Sequence, residues 1–136
     1  MKIMVCYDSS DTGKEALNVA IDYAKAFSAS IHVVTSFPQK IETDLTDLSQ
    51  REKIQQRLLE TKEHVSKEGI DCSVAVVTDD VTDGENLVNY ADDNGMDAVV
   101  IGVRRASKVG KLLFGSTAQH VILTAHCPVI SVKVRA

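Results

Sequence analysis

The chain has 136 residues, of which 44% are hydrophobic and 25% are charged, and its formal net charge is −4. This length predicts one domain, residues 1–136, and the composition excludes a disordered chain. No apolar run approaches the roughly 18 residues that a membrane-spanning helix needs, and the acidic balance argues against a nucleic-acid-binding protein.

The first half of the chain alternates strand and helix patterns. A short apolar strand over residues 2–7 meets turn formers at 8–11, and a second strand over 31–37 ends at Pro38. Between them lies a helix with one apolar face: Ala16, Leu17, Ala20, Ile21, Ala24 and Phe27. The polar segment 39–49 predicts a loop with room for a helical turn. A second helix runs from Gln50 to Gly69, a predicted C-cap.

The second half repeats the alternation. Residues 72–77 and 97–101 predict the third and fourth strands, and residues 82–85 have capping-box form ahead of a helix that ends near Gly95. The last helix carries an apolar face of Ala118, Val121, Ile122 and Ala125. Residues 127–134 predict a fifth strand, whose alternating end indicates an edge strand or one that pairs with another chain.

This strict alternation predicts an α/β fold with a parallel sheet and helices on both faces. Ligands bind such sheets at the carboxyl ends of the strands, where the strand order reverses. The alternation permits two orders. In 3-2-1-4-5, Asp8 lies next to the segment that follows the fourth strand, and in 2-1-3-4-5 it lies near Asp79 and Asp80. The glycine-bearing segment after the fourth strand favours the first order.

The segment from Gly102 to Thr117 joins a strand, a basic loop and a helix start. Its loop holds four basic residues and no acid within eight positions: Arg104, Arg105, Lys108 and Lys111. A helix N-terminus favours an anion, and the hydroxyls at 116 and 117 are expected to cap it. The segment therefore predicts a phosphate-binding cradle. It is not a P-loop, because Arg105 and Leu112 stand where that motif needs glycine and serine or threonine.

The spacing of Gly102, position 105 and Gly115-Ser116 resembles G-x2-G-x9-G-[ST], the nucleotide motif of the universal stress protein family. The resemblance runs the whole length, from residues 3–10 through 31–34 to 115–132. It implies the 3-2-1-4-5 sheet of a Rossmann-like, adenine nucleotide alpha hydrolase-like fold. It also implies ATP or AMP, with or without Mg²⁺, between the first and fourth strands. A homodimer would form through the last strand, at Val129, Ile130, Ser131 and Val132.

Carried over by position, the resemblance implies a set of nucleotide-binding residues. These are Cys6, Tyr7, Asp8, Thr35, Ser36, Gly102, Val103, Arg104, Arg105, Gly110, Gly115, Ser116 and Thr117. Asp8 would contact the adenosine, the end of the second strand would line the base pocket, and Gly102, Arg104 and residues 115–117 would surround the ribose and phosphates. The departure is Arg105, which replaces the second glycine. It either clasps the phosphates, with Gly110 supplying flexibility, or places the chain among members that bind no nucleotide.

Three functions follow from these observations. The first is a cytoplasmic, dimeric, nucleotide-dependent stress or signalling module with no catalytic residues, in which ATP hydrolysis is absent or slow. The second is a dimeric interaction protein of the same fold that binds no nucleotide. The third is a phosphoacceptor receiver domain with the 2-1-3-4-5 order and Asp80 phosphorylated. The three cysteines, each in an apolar run, are expected to be buried, reduced thiols, and no metal site is predicted.

Overall fold

The computed structural model describes residues 1–8, 11–37, 45–79, 81–104 and 115–134. Strands and helices alternate through these residues as the sequence predicts. The elements are β1 (Lys2–Cys6), α1 (Asp11–Phe27), β2 (Ser30–Ser36), α2 (Leu45–Lys67), β3 (Cys72–Val77), α3 (Asp83–Asp93), β4 (Ala98–Arg104), α4 (Ser116–Thr124) and β5 (Val129–Val134).

The five strands form one parallel sheet in the order β3-β2-β1-β4-β5. The central strand is β1, in which Ile3 pairs with Ile31 of β2 on one side and with Ala98 of β4 on the other. The predicted order 3-2-1-4-5 is confirmed and the alternative 2-1-3-4-5 is wrong. The receiver-domain hypothesis required that alternative order and is therefore contradicted; Asp80 itself lies outside the described residues.

The sheet separates two apolar cores, because successive strand residues point to opposite faces. Ile3 and Val5 face α1 and α2, whereas Met4 and Cys6 face α3 and α4. Ile3, Met4 and Val5 are at most 1% exposed. A strand buried on both faces reads as a continuous apolar run, which is how β1 appears in the sequence.

The apolar face predicted for α1 is buried except at its end. The other residues of that face pack in the core: Ala16, Leu17, Ala20, Ile21 and Ala24. Phe27 is 57% exposed and stacks on Tyr23 with 6.1 Å between ring centroids. The expectation for Phe27 is wrong because the helix ends there. The chain turns at Ser28, which has a φ of 54°, and Ala29 enters the core in its place.

The second helix begins at Leu45 rather than Gln50, so the predicted loop is shorter than expected. An apolar period marks only the part of a helix that packs, so the polar segment ahead of it leaves the start of the helix undefined in the sequence. The helix ends as predicted, with Gly69 turning the chain at a φ of 78°. Leu58 and Val65 of α2 are buried.

The two helices on the other face begin differently. At the start of α3, the Glu85 N–H donates to the Thr82 hydroxyl at 3.2 Å, which confirms the predicted cap. At the start of α4, the N-cap is Gly115, and no side chain of the described residues caps the helix. The hydroxyl cap expected there is wrong, because Ser116 is already the first helical residue.

The cysteines form no disulfide: Cys6 and Cys72 are buried, and Cys127 is half-buried just before β5. Burial raises the pKa of Cys6 to about 12 and that of Cys72 to about 11, because an apolar interior disfavours the thiolate. Among the described helices, none combines the length and apolar character of a bilayer-spanning segment.

Candidate functional site

Hydrogen bonds tie the carboxyl ends of β1 and β2 together. The Tyr7 N–H donates to the Val34 carbonyl at 2.9 Å, and the Thr35 hydroxyl donates to the Tyr7 carbonyl at 2.5 Å. Asp8 follows directly and is exposed. Its Oδ1 lies 2.8 Å from the point where a Cβ at Gly13 would stand, so the carboxylate rests against the first turn of α1. A helix start stabilises a carboxylate in that position.

The end of β2 is also fixed to α3. The Ser36 hydroxyl donates to Asp83 Oδ1 at 2.8 Å and accepts from Asn86 Nδ2 at 3.0 Å. The same Nδ2 lies 3.3 Å from the Asp79 carbonyl, and Asn86 is completely buried. The Ser36 hydroxyl is therefore engaged by α3, and this residue anchors the end of the strand.

A pocket of about 410 Å³ opens above these strand ends. From the strands it is lined by Tyr7, Asp8, Thr35 and Ser36. Helix α2 covers the pocket and contributes the rest of its described lining: Gln50, Lys53, Ile54, Arg57 and Leu58. This cavity, called here the α2 pocket, brings together four of the residues that the sequence assigned to the site.

The α2 side of the pocket was missed by the sequence analysis. Ile54 and Leu58 are four positions apart and so lie on one face of the helix, but the local sequence does not indicate which strand ends that face covers. Among the lining residues that the structure describes, Lys53 and Arg57 carry two positive charges and Asp8 carries one carboxylate. The pocket thus offers an apolar wall, hydrogen-bonding groups and a cationic rim, which suits a polar ligand with one flat apolar part.

The fourth strand is longer than predicted. It continues through Gly102 and Val103 to Arg104, pairing with β5 from Val99↔Val129 to Arg104↔Val134. The predicted end at Ile101 is wrong because β5 pairs with residues 102–104, and the local sequence gives no sign of this pairing. Val103 is 2% exposed and packs in the core beneath α3 and α4, so its side chain is directed away from the α2 pocket.

Gly102 allows a close approach between strand and helix. A Cβ at this position would lie 2.6 Å from the Thr12 carbonyl carbon and 2.7 Å from the Thr12 Cβ. Gly102 is thus needed for packing α1 onto β4. The neighbouring strand pair, Cys6 and Ile101, places this contact beside the end of β1. The strand order reverses between β1 and β4.

The structure describes both ends of the basic segment but not its middle. Arg104 is exposed at the end of β4, and Gly115 has φ −60° and ψ 159° ahead of Ser116 and Thr117. No described atom lies within 4 Å of a Cβ built on Gly115. The remaining predicted residues of the segment, Arg105 and Gly110, lie outside the described residues.

Two predicted site residues next to Asp8 belong mainly to the cores. The Cys6 thiol is buried on the α3 and α4 face, whereas Tyr7 packs against the core under α1 and α2. Of these two, Tyr7 reaches the α2 pocket.

The sequence and the order of the described strands agree with one protein family. The family model of universal stress proteins matches residues 1–133. The chain belongs to the universal stress protein family.

Individual members are similar over almost the whole chain. A curated universal stress protein of Thermus aquaticus is 31% identical over 136 residues, covering 96% of this chain and 97% of that protein. A universal stress protein structure from Archaeoglobus fulgidus has a TM-score of 0.82 at 32% identity, covering 96% of this chain and 97% of that one. Another structure from the same organism, in complex with dAMP, has a TM-score of 0.76 at 27% identity, with 96% of each chain covered. This universal stress protein thus shares its architecture with a nucleotide-bound relative.

Proposed function

We propose that this universal stress protein binds an adenine nucleotide, AMP or ATP, with the adenosine in the α2 pocket. The observation that carries the proposal is the place and lining of that pocket. It lies at the carboxyl ends of β1 and β2, beside the point where the strand order reverses, and Asp8 and Thr35 line it. The relative in complex with dAMP supports the same class of ligand.

The residues present fit an adenosine. A volume of about 410 Å³ lies in the range of small-molecule pockets, and Ile54 and Leu58 offer an apolar surface to the base. The Asp8 carboxylate can accept hydrogen bonds from ribose hydroxyls or from the exocyclic amine. The Thr35 hydroxyl already donates to the Tyr7 carbonyl and holds the strand ends in place.

The phosphates are proposed to reach the segment between Arg104 and α4. The first N–H groups of α4 follow Gly115, which carries no side chain, and Ser116 and Thr117 add two hydroxyls. Arg104 contributes a positive charge at the end of β4. Mg²⁺ would accompany ATP through phosphate oxygens, as it usually does with nucleotides.

The bound nucleotide is proposed to act as a signal rather than as a substrate. We place the protein in the cytoplasm as a homodimer, formed by the outer edge of β5 at Val129–Val132. This strand is at the edge of the sheet, and an unpaired edge is a template for another strand. Light scattering on the eluting protein should then give twice the 14.8 kDa of one chain, and a monomer mass would contradict the dimer.

Titration calorimetry with nucleotide-free protein tests the binding. AMP, and ATP with and without Mg²⁺, should each release or absorb heat and raise the melting temperature. Gly115→Ala should abolish or strongly weaken binding without loss of stability, because the described structure leaves its Cβ position open. Absence of heat and of a thermal shift at millimolar nucleotide would refute the proposal and favour the interaction protein that binds no nucleotide.

A further inference from the structure

Two aromatic side chains near the end of α1 lie on the surface. Phe27 is 57% exposed and Tyr23 is 39% exposed, and their rings stack with 16° between the ring planes. Val19, one turn earlier, is half-buried at the margin of the core. Residues four positions apart share a helix face, so these three side chains form one line, called here the α1 stripe. An apolar surface of this kind marks an interaction site when it adjoins other apolar surface.

The α1 stripe lies on the side of α1 that is turned away from α2. Lys25 marks the opposite side, because its Nζ donates to Glu68 Oε2 of α2 at 2.6 Å. Helix α1 packs on β4 and β5. Ile130 and Val132 of β5 are half-buried at the margin of the same core as Val19. The α1 stripe therefore borders the outer edge of β5, and every residue of this surface belongs to the described part of the chain.

Edge pairing through β5 alone would make a small interface. The strand has six residues, whereas a stable interface uses about 20–30 residues from each partner. The remaining surface has to come from the elements that border β5, and on one face of the sheet that element is α1. Antiparallel pairing of two identical edge strands creates a two-fold axis perpendicular to the sheet. This axis places the α1 helices of both copies on the same face, on either side of the paired strands.

The groove between the two α1 helices needs large side chains to fill it. Helix α1 packs chiefly on β4, and the two β4 strands would stand three strand spacings apart, about 14 Å at about 4.8 Å per spacing. Helices in direct contact stand only about 8–10 Å apart. Aromatic rings on the facing sides can close this difference, and Ile130 and Val132 provide an apolar floor beneath them.

We propose that the α1 stripe is an interface with a second copy of this chain, in which the Tyr23 and Phe27 rings of each copy fill the groove above the paired β5 strands. The inference rests on the proposed homodimer and adds to it the side chains that determine how tightly the copies bind. The two rings already stack on each other in the single chain. Less side-chain entropy is therefore lost when a second copy covers them.

Sedimentation velocity over a dilution series of the whole chain measures the dissociation constant of the dimer. Phe27→Ser should raise this constant about 10-fold or more, because each dimer loses the ring twice and buried aromatic residues dominate the energy of interfaces. The matched control is Leu59→Ser, which removes a side chain that is 56% exposed and lies on α2 beside β3, the other edge of the sheet. This control should leave the constant unchanged. Circular dichroism of the dilute variants should show that both fold, since both positions are exposed.

A second measurement needs no substitution. Hydroxyl-radical footprinting, read by mass spectrometry, should show that oxidation of Tyr23 and Phe27 falls as the protein is concentrated, whereas oxidation of Leu59 stays constant. Protection of both rings together with a weaker dimer in Phe27→Ser supports the inference.

The other outcomes separate the inference from the proposed dimer. A dimer that Phe27→Ser leaves unchanged, with no protection of the two rings, would overturn the inference and leave pairing through β5 standing. A wild-type chain that stays monomeric at every concentration would overturn both. A dimer weakened by Leu59→Ser and not by Phe27→Ser would also overturn both, because the interface would then lie at the edge formed by β3.

Discussion

Gly102→Ala tests the contact between β4 and α1. The added Cβ would lie 2.6 Å from the Thr12 carbonyl carbon and 2.7 Å from the Thr12 Cβ. These atoms belong to the first turn of a helix and cannot rotate away as the end of a long side chain can. The helix or the strand must shift, and overpacking of this kind costs about 1–3 kcal/mol. The crowded atoms include backbone, which places the cost in the upper part of this range, about 2–3 kcal/mol. Restricting the unfolded chain returns about 0.4–1 kcal/mol, so the net loss should be about 1–2.6 kcal/mol.

The loss of unfolding free energy should be measurable by thermal unfolding and by urea unfolding. At about 2.1 cal/mol/K per residue, a chain of 136 residues has an unfolding entropy of about 0.3 kcal/mol/K. The melting temperature should therefore fall by about 3–9 °C, by the same conversion. Gly115→Ala is the matched control, because no described atom crowds its Cβ and its φ of −60° suits alanine. Equal stability of the two variants would refute the reasoning.

Three further predictions concern polar groups that are wholly or partly buried. Iodoacetamide at pH 8 should label Cys127 first and should not label Cys6 until the protein unfolds. The pKa of Cys6, about 12, leaves about one of its thiols in 10,000 as thiolate at this pH. Equal labelling rates of the two cysteines, measured by mass spectrometry, would contradict this. Burial lowers the pKa of His32, so the unfolded chain binds more protons below pH 6.5, and the free energy of unfolding should fall on acidification by at most about 1.4 kcal/mol per pH unit. His32→Phe should flatten that slope, and an unchanged slope would argue against it. Asn86→Ala should cost about 2–4 kcal/mol in urea unfolding, because it removes two hydrogen bonds and leaves a cavity at a completely buried side chain. The exposed Asn89→Ala on the same helix should cost under about 0.5 kcal/mol, and similar losses would refute the role of Asn86.

Local signals predicted the elements well where a side chain both defines and stabilises them. The Thr82 cap and the turn at Gly69 follow from residues close together in the chain. The alternation alone left two strand orders, and the glycine-bearing segment favoured the observed one.

Features that depend on distant partners were not predictable in this way. β4 reaches Arg104 because β5 pairs with it, although Gly102 and Arg104 do not read as strand. The α2 wall of the pocket, including Lys53 and Arg57, depends on how a long helix packs across the sheet. The sequence placed Ser36 in the base pocket, whereas its hydroxyl bonds to α3, a contact between residues 47 positions apart.

The central position of β1 has a consequence for synthesis. Its partner on one side, β4, begins 92 positions after β1 ends, at Ala98. At about 5–20 residues per second, a ribosome needs about 5–18 s to make that interval. During this time an almost entirely apolar strand presents an open edge, the kind of edge on which chains aggregate. The residues of β1, which are among the most buried in the folded protein, are therefore followed by the longest interval before their second partner strand is synthesised.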